Sequence, residues 1–199
     1  MPFLDRDEIA RSLTGAWRVF LDKPDAAHFF DLSFNGFWRS FRAFALMIPA
    51  YGLAAATEYQ ALMSSPGADV SGSTFFFAKA IASLLDWVTF PILLALVAEQ
   101  LRIARSYTSF VIARNWGAVL AGVPFVLIDL LYLLGMFSED VANVGSLIFV
   151  LVQLYYSYLI ASRTLGAGIG MAVAIVIADF AVSLLIMAIA SSAAGLPFQ

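Results

Sequence analysis

The sequence predicts an all-α fold: a polytopic integral membrane bundle of five transmembrane helices, preceded by an N-terminal amphipathic interfacial helix. The 199 residues are 62% hydrophobic and only 13% charged, and their mean hydropathy is +0.88. A soluble globular domain carries about 25% charged residues. Because so apolar a chain would expose hydrophobic surface to water, we expect lipid to be its solvent.

The first unit is predicted at residues 1–40, a cytoplasmic segment that is amphipathic and rich in aromatic side chains. Within residues 5–23, apolar side chains recur at helical spacings of three and four, which is typical of a helix with one apolar face. Aromatic and basic side chains together are typical of membrane interfaces. The expected interfacial anchor comprises Trp17, Phe20, Trp38, Arg39 and Arg42. The alternative, left open, is that this helix packs on the cytosolic ends of the bundle.

The second unit is predicted at residues 41–199, where long apolar runs alternate with short polar connections. The predicted spans cover about 41–62, 75–101, 116–137, 141–161 and 167–191. Each of these runs approaches or exceeds the roughly 20 residues that a helix needs to cross the hydrocarbon core. The acidic N-terminus lacks the basic-then-apolar order of a signal peptide, so we expect no cleavage there.

The distribution of basic residues predicts the orientation. Ten of the eleven lie before or at the start of the first span, between the second and third spans, or between the fourth and fifth, and Lys79 alone lies well inside a span. Cytoplasmic loops carry the excess of Lys and Arg in membrane proteins. We therefore expect a cytoplasmic N-terminus and an external C-terminus, in the cytoplasmic (inner) membrane of a bacterium.

Four polar residues within the predicted spans form the candidate site. Counted from the predicted span ends, Asp86, Asp129, Gln153 and Asp179 each lie about 11–13 residues deep, near the bilayer midplane. Ionisable side chains at this depth are costly, so they usually face the protein interior and often carry function. One interpretation is a proton or cation relay. The other is a structural network of neutral, hydrogen-bonded acids, since the sequence suggests no basic residue at their depth.

Several site chemistries are excluded by composition. The chain has no cysteine and a single histidine, which excludes disulfides, thiolate metal sites and histidine-cluster metal sites. No nucleophile-and-base arrangement indicates a catalytic residue, and no motif indicates a cofactor. Nor does any basic run suggest nucleic acid. We therefore expect no enzymatic activity.

The order of the parts resembles that of the Yip (Ypt-interacting protein) family. Residues 30–38 occupy the place before the membrane where eukaryotic members carry an Asp-Leu-Tyr-Gly type of motif. Asp31 and Leu32 match that motif, but the Tyr-Gly continuation is absent, so no binding role is transferred to these residues. The resemblance implies a membrane-organising or partner-binding role rather than catalysis.

These observations favour a non-enzymatic membrane protein that scaffolds, organises or regulates partners. Its expected partners are the lipid bilayer together with other proteins or further copies of the chain. The alternative is a small proton- or cation-coupled permease, or a channel subunit, that uses the midplane carboxylates. A permease requires a cavity that reaches the carboxylates from one side, whereas a scaffold can be solid.

The predicted orientation can be tested with reporter fusions. A reporter fused after Gln199 and one inserted in the 64–73 connection should both give external signals, because an odd number of spans separates each from the N-terminus. A cytosolic signal from the C-terminal fusion would contradict the count of five spans.

Overall fold

The computed structural model describes residues 5–64, 70–166 and 168–194, and within these ranges all regular structure is helical. The predicted 65–69 part of the first external connection and the C-terminal tail from 195 onward lie outside the described residues. A 3₁₀ turn at Ala26–Phe29 separates the first two helices. The helices are α1 (Arg6–Phe20), α2 (Phe34–Ser40), α3 (Ala43–Met63), α4 (Gly72–Val97), α5 (Tyr107–Leu133), α6 (Glu139–Leu165) and α7 (Ile169–Ala193).

Helix α6 shows how local sequence determines where a helix begins and ends. The Ser138 hydroxyl accepts a hydrogen bond from the Val141 N–H at 3.4 Å, and Glu139 and Asp140 occupy the first turn. A side-chain cap and acidic residues both stabilise a helix N-terminus. At the other end, Gly166 adopts a left-handed conformation with φ of 62°, which glycine tolerates without steric cost.

The five long helices form a closed ring. In spatial order α3 packs on α4, α4 on α7, α7 on α6, α6 on α5, and α5 again on α3. The ring is thus not in chain order, because α7 lies between α4 and α6. This arrangement places one face of every long helix toward a common axis.

Four of these helices, α4 to α7, are each long and apolar enough to cross a membrane. The all-α prediction is confirmed, and these four helices are consistent with a membrane protein. Helix α3 has 21 residues, but its second half carries Glu58 and Gln60, and it is not among the four. The fifth span therefore stays a prediction.

The N-terminal segment packs on the bundle. Helix α1 contacts α5 and α6 through a buried face of small residues, which comprises Ser12, Gly15, Ala16 and Val19. The Tyr156 hydroxyl on α6 donates a hydrogen bond of 2.7 Å to the Ala16 carbonyl. Helix α1 thus packs on the bundle, which was the alternative left open, and its small residues allow this close approach.

Further side-chain contacts attach the segment to the same end of the ring. The Asn115 amide of α5 donates to the Ser40 hydroxyl at 2.9 Å, and both residues are fully buried. Arg163 at the end of α6 forms a two-bond ion pair with Asp22, at 2.5 and 2.7 Å. We call this end of the ring, where residues 6–40 lie, the N-terminal end.

Substitution of Gly15 by alanine should loosen this attachment. A Cβ at Gly15 would lie 2.9 Å from the Phe29 Cβ and 3.0 Å from the Phe30 ring, closer than side chains pack. We expect a loss of about 1–3 kcal/mol in unfolding free energy, measured by denaturant titration in detergent micelles. Gly52→Ala is the matched control, because nothing lies within 4 Å of its added Cβ. Equal effects of the two substitutions would contradict the close packing of α1.

Candidate functional site

The candidate site is centred on Arg114, which lies seven residues into α5 and reaches α7. Its Nη2 donates to Asp179 Oδ1 at 2.9 Å, and its Nε donates to Asp179 Oδ2 at 3.2 Å. Only 15% of the Arg114 side chain is exposed. This two-bond geometry is the strong form of a charge-assisted pair, and it joins two helices that are not neighbours in the ring.

Contacts with α3 and α4 place the Arg114 guanidinium near the axis of the ring. On α4, it lies 3.4 Å from the Trp87 carbonyl and 5.8 Å from the centroid of the Phe90 ring. Tyr51 on α3 and Asp86 on α4 also interact electrostatically with it. One side chain thus interacts with α3, α4 and α7 from its position on α5.

Arg114, Asp179, Asp86 and Ser183 form a group that we call the central cluster. Asp86 is its second acidic member. Its Oδ1 accepts a hydrogen bond of 2.5 Å from the Ser183 hydroxyl, one turn beyond Asp179 on α7. Measured from the N-terminal end, Asp86 lies 11 residues from Val97 and Asp179 lies 10 residues from Ile169. At 1.5 Å of rise per residue, both are roughly 15 Å deep. The structure therefore places these two predicted residues at one depth.

A cavity of about 20 Å³ lies beside the ion pair, between α5, α6 and α7. Its lining includes Arg114 and Asp179 together with Ser157 and Ile160. A volume of this size holds about one water molecule. The described residues therefore leave room for a bridging water at the ion pair but not for a solute.

Asp129 does not belong to this layer, which corrects the prediction of a common depth. It lies 22 residues from the start of α5 and four from its end, and thus roughly 33 Å from the N-terminal end. The predicted span began at residue 116, whereas α5 begins at Tyr107, so the depth was counted from the wrong residue. Asp129 lies beside the Thr57 hydroxyl on α3.

A second ion pair lies at the same end of the ring as Asp129. Lys79 Nζ on α4 is 2.6 Å from Glu58 Oε1 on α3. Lys79 lies seven residues from the start of α4, and Glu58 lies five from the end of α3. The polar groups of the spans thus form two layers, one around Arg114 and one near the end opposite the N-terminal segment.

Gln153 lies at the expected depth, but its side chain faces outward and not into the ring. It lies 12 residues from the end of α6, close to the depth of Asp86 and Asp179. Its side chain is exposed on the outer surface of the ring. Here it lines a groove between α5 and α6 with Trp17 and Tyr156. The predicted four-residue layer is therefore reduced to Asp86 and Asp179.

Arg114 is the residue that the sequence interpretation missed. It was counted among the basic residues of the connection between spans two and three, and no basic residue was expected at the depth of the carboxylates. That expectation is wrong, because the structure pairs Arg114 with Asp179. The signal was present: Phe110, Val111, Ile112 and Ala113 form an apolar run just before Arg114, with no glycine or proline to end the helix.

The predicted interfacial anchor lies on the N-terminal segment, and part of it is engaged by protein groups. Trp17 and Trp38 are 48% and 58% exposed, whereas Phe20 packs edge-on against Tyr156. Arg39 forms ion pairs with Glu8 and Asp31, and Arg42 is half-buried. Whether these residues anchor the chain at a lipid interface stays a prediction.

The Asp31 carboxylate beside Arg39 is held in its ionised form by its own turn. The Ser33 N–H donates a hydrogen bond to it, and this bond, with the nearby Arg39 charge, lowers the pKa of Asp31 below its usual value. A lowered carboxyl pKa stabilises the fold above the unfolded-state pKa, and this contribution is lost as the pH falls through the folded-state value. This contribution of Asp31 is therefore fully present at neutral pH.

The chemistry available to the central cluster follows from its pairing. Asp179 is neutralised by Arg114, and Asp86 accepts from a hydroxyl group. Among the described residues, no group of three or more His, Cys, Asp or Glu side chains is arranged to hold a metal ion. The arrangement is suited to joining helices, and it retains titratable groups beside a space for one water.

Removal of Arg114 should be the most damaging single change in the bundle. We expect Arg114→Met to lower the unfolding free energy by up to about 3–5 kcal/mol, because it leaves the largely covered Asp179 carboxylate without its partner. The double variant Arg114→Met with Asp179→Leu should regain most of this loss, since no unpaired charge remains. Denaturant titration in micelles measures both.

Lys79→Met serves as the control for this experiment. It removes a cation from an ion pair whose Glu58 partner is 45% exposed, so we expect a cost within about 1 kcal/mol. If Arg114→Met costs no more than Lys79→Met, the central role of the Arg114–Asp179 pair is wrong.

Comparison of the sequence and the structure with known proteins gives no match. No protein-family model matches the chain, and neither the curated proteins nor the solved structures contain a match to it.

Proposed function

We propose that this chain is a non-enzymatic integral membrane protein that scaffolds or organises partners within the bilayer. The observation that carries the proposal is the Arg114–Asp179 ion pair on the ring axis, with space for about one water beside it. A transport pathway needs a cavity that brings solute to the functional groups. Here the carboxylate at the axis is instead committed to an arginine of the same bundle.

The outer surfaces support a role in association. Large apolar side chains are exposed on several helices, for example Leu96 on α4, Leu147 on α6 and Ile177 on α7. Such faces suit lipid or a neighbouring transmembrane helix equally. The N-terminal segment adds Phe34 and Trp38, which are exposed outside the ring and form the surface that we assign to protein partners. Membership in the Yip family would agree with this role, and it stays a prediction.

Location is the second part of the proposal. We assign the chain to the cytoplasmic membrane of a bacterium, with the N-terminal end of the ring in the cytoplasm. The basis is the clustering of basic side chains at that end, including Arg11, Arg18, Lys23, Arg102 and Arg105. The position of Arg114 within α5 removes one residue from the original count but leaves the bias in place.

A proton-coupled permease is the second candidate, and one observation favours it. Asp86 lies beside Arg114 and accepts a hydrogen bond from Ser183, and the cavity that Arg114 lines has room for one water. Carboxylates, hydroxyls and a water at mid-depth are the components of proton relays in membrane transporters. On this hypothesis Asp86 would exchange a proton while Asp179 stays paired.

Two measurements separate these candidates. In proteoliposomes with a pH gradient and a membrane potential, we expect no proton or cation flux above that of empty vesicles. In native membranes, the wild-type chain should copurify with a stoichiometric partner that the double variant Phe34→Ala with Trp38→Ala loses. Leu184→Ala, which shortens an exposed side chain on α7, is the control that should retain the partner.

Variants of Asp86 provide the result that would contradict the scaffold. Flux through the wild-type protein that disappears in Asp86→Asn and persists in Asp129→Asn would contradict the scaffold and support the permease. Asp129 is the matched control because it is an acidic residue of the bundle that lies outside the central cluster.

A further inference from the structure

The connection between α4 and α5 contains a backbone conformation that is unusual for its residue type. Arg102 has a φ of 59°, in the left-handed region. Its N–H donates to the Glu99 carbonyl at 3.0 Å, and the Ile103 N–H donates to the Ala98 carbonyl at 2.9 Å. This pair of bonds is the Schellman arrangement that ends many helices, and glycine usually occupies its left-handed position. A residue with a Cβ costs free energy in that conformation.

The other left-handed positions of the described residues are accounted for within the protein. Gly135 and Gly166, after α5 and α6, carry no Cβ. Asp22, after α1, is of a type that tolerates this conformation, and its carboxylate forms the ion pair with Arg163 of α6. Arg102 differs from all three, because a long side chain is kept there at a conformational cost and contacts nothing in the described residues that explains it.

The side chains of Arg102 and Arg105 are exposed and unpaired. Among the described residues neither forms an ion pair, whereas four other arginines are each paired with an aspartate. Ile103 between them is buried, and its carbonyl accepts a hydrogen bond of 2.9 Å from the Ser106 N–H. The connection is thus attached to the bundle, and it presents two guanidinium groups outward.

The position of the connection relative to the lipid-facing surface indicates what these groups meet. The apolar outer surface of α4 continues to its last turn, where Leu96 and Val97 are 69% and 42% exposed. The boundary of the hydrocarbon core therefore lies near the end of α4, and Arg102 follows five residues after Val97. Phospholipid phosphates lie just outside that boundary. A guanidinium group is suited to binding phosphate, because its donors match the phosphate oxygens.

The charge of the connection favours one class of phospholipid. Residues 98–106 contain two arginines and one carboxylate, that of Glu99, so their formal net charge is +1. A headgroup with a net negative charge is attracted to this segment. A zwitterionic headgroup is attracted less, because it brings a cation that is repelled by the same arginines.

We propose that the connection between α4 and α5 is a binding site for an anionic phospholipid, whose phosphate is held by the guanidinium groups of Arg102 and Arg105. The apolar side chains at the end of α4 contact the acyl chains of the same lipid. The site rests on the bilayer location proposed above, but it does not depend on whether the bundle scaffolds or transports.

The test compares two lipids on the full-length protein. Native mass spectrometry from micelles that contain equal amounts of phosphatidylglycerol and phosphatidylcholine should show several-fold more phosphatidylglycerol retained by the wild-type chain. Arg102→Gly and Arg105→Gln should each lower this retention by about fivefold, the contribution of one basic side chain near an anionic lipid surface. Lys23→Gln removes an exposed cation at the same end of the ring, outside the connection, and should leave the retention unchanged.

Two results of this comparison would overturn the site. Equal retention of the two lipids by the wild-type chain would show that the headgroup charge is not recognised. A loss in Lys23→Gln as large as that in Arg102→Gly would show a general attraction to the basic end of the ring.

Arg102→Gly also separates lipid binding from folding. Glycine adopts the left-handed conformation without steric cost, so the midpoint of denaturant unfolding in micelles should equal or exceed that of the wild type while lipid retention falls. An arginine near a helix C-terminus can instead stabilise the helix through its charge. In that case the midpoint would fall, and a structural role of the Arg102 side chain would replace the lipid site.

The occupant is tested against two other sources of negative charge. Inorganic phosphate in excess should not displace phosphatidylglycerol, because it lacks the acyl chains that contact α4. Displacement would show a site for free phosphate and overturn the lipid assignment. An acidic segment of a partner protein would be indicated if Arg105→Gln lost a copurifying protein from native membranes while its phosphatidylglycerol retention stayed at the wild-type value. That result would also overturn the proposal.

Discussion

The pairing of Arg114 with Asp179 is the interaction on which the rest of the bundle depends. A guanidinium cannot be deprotonated at any physiological pH, so its burial among apolar helices requires a compensating anion. Asp179 on α7 supplies this anion, and α7 is the last of the described helices in chain order. The position of α7 between α4 and α6 meets this requirement, because it brings Asp179 within reach of Arg114 across the ring.

The same interaction accounts for the neighbouring polar groups. Asp86 and Tyr51 lie within the electrostatic field of Arg114, and Ser183 satisfies Asp86 from α7. A polar network in a low-dielectric interior is stabilising only when its members are satisfied. The network is confined to one depth, and the Lys79–Glu58 pair near the opposite end is separate from it. Each layer thus contains one basic side chain, Arg114 or Lys79, that is paired with an acidic side chain of another helix.

Much of the architecture follows from the sequence, because apolar length and helical spacing indicate spans directly. The depth of single residues does not follow, since it depends on where each helix begins. The segment from Tyr107 to Trp116 carries polar and basic residues, as a connection between spans would. It nevertheless forms the first turns of α5. The direction in which a side chain faces is even harder to predict from sequence. Gln153 and Asp86 have the same kind of apolar neighbours in sequence, and only packing places Gln153 on the outer surface and Asp86 inside the ring.

The attachment of α1 to α6 has a consequence for how the chain is made. Ala16 and Tyr156, whose backbone and side chain share a hydrogen bond, are 140 residues apart in sequence. Contacts of such long separation form only after the intervening chain is available. During synthesis, residues 6–40 are made well before α6 and lack this part of their binding surface until α6 has been translated. They therefore reach their final position only after the greater part of the bundle has been made.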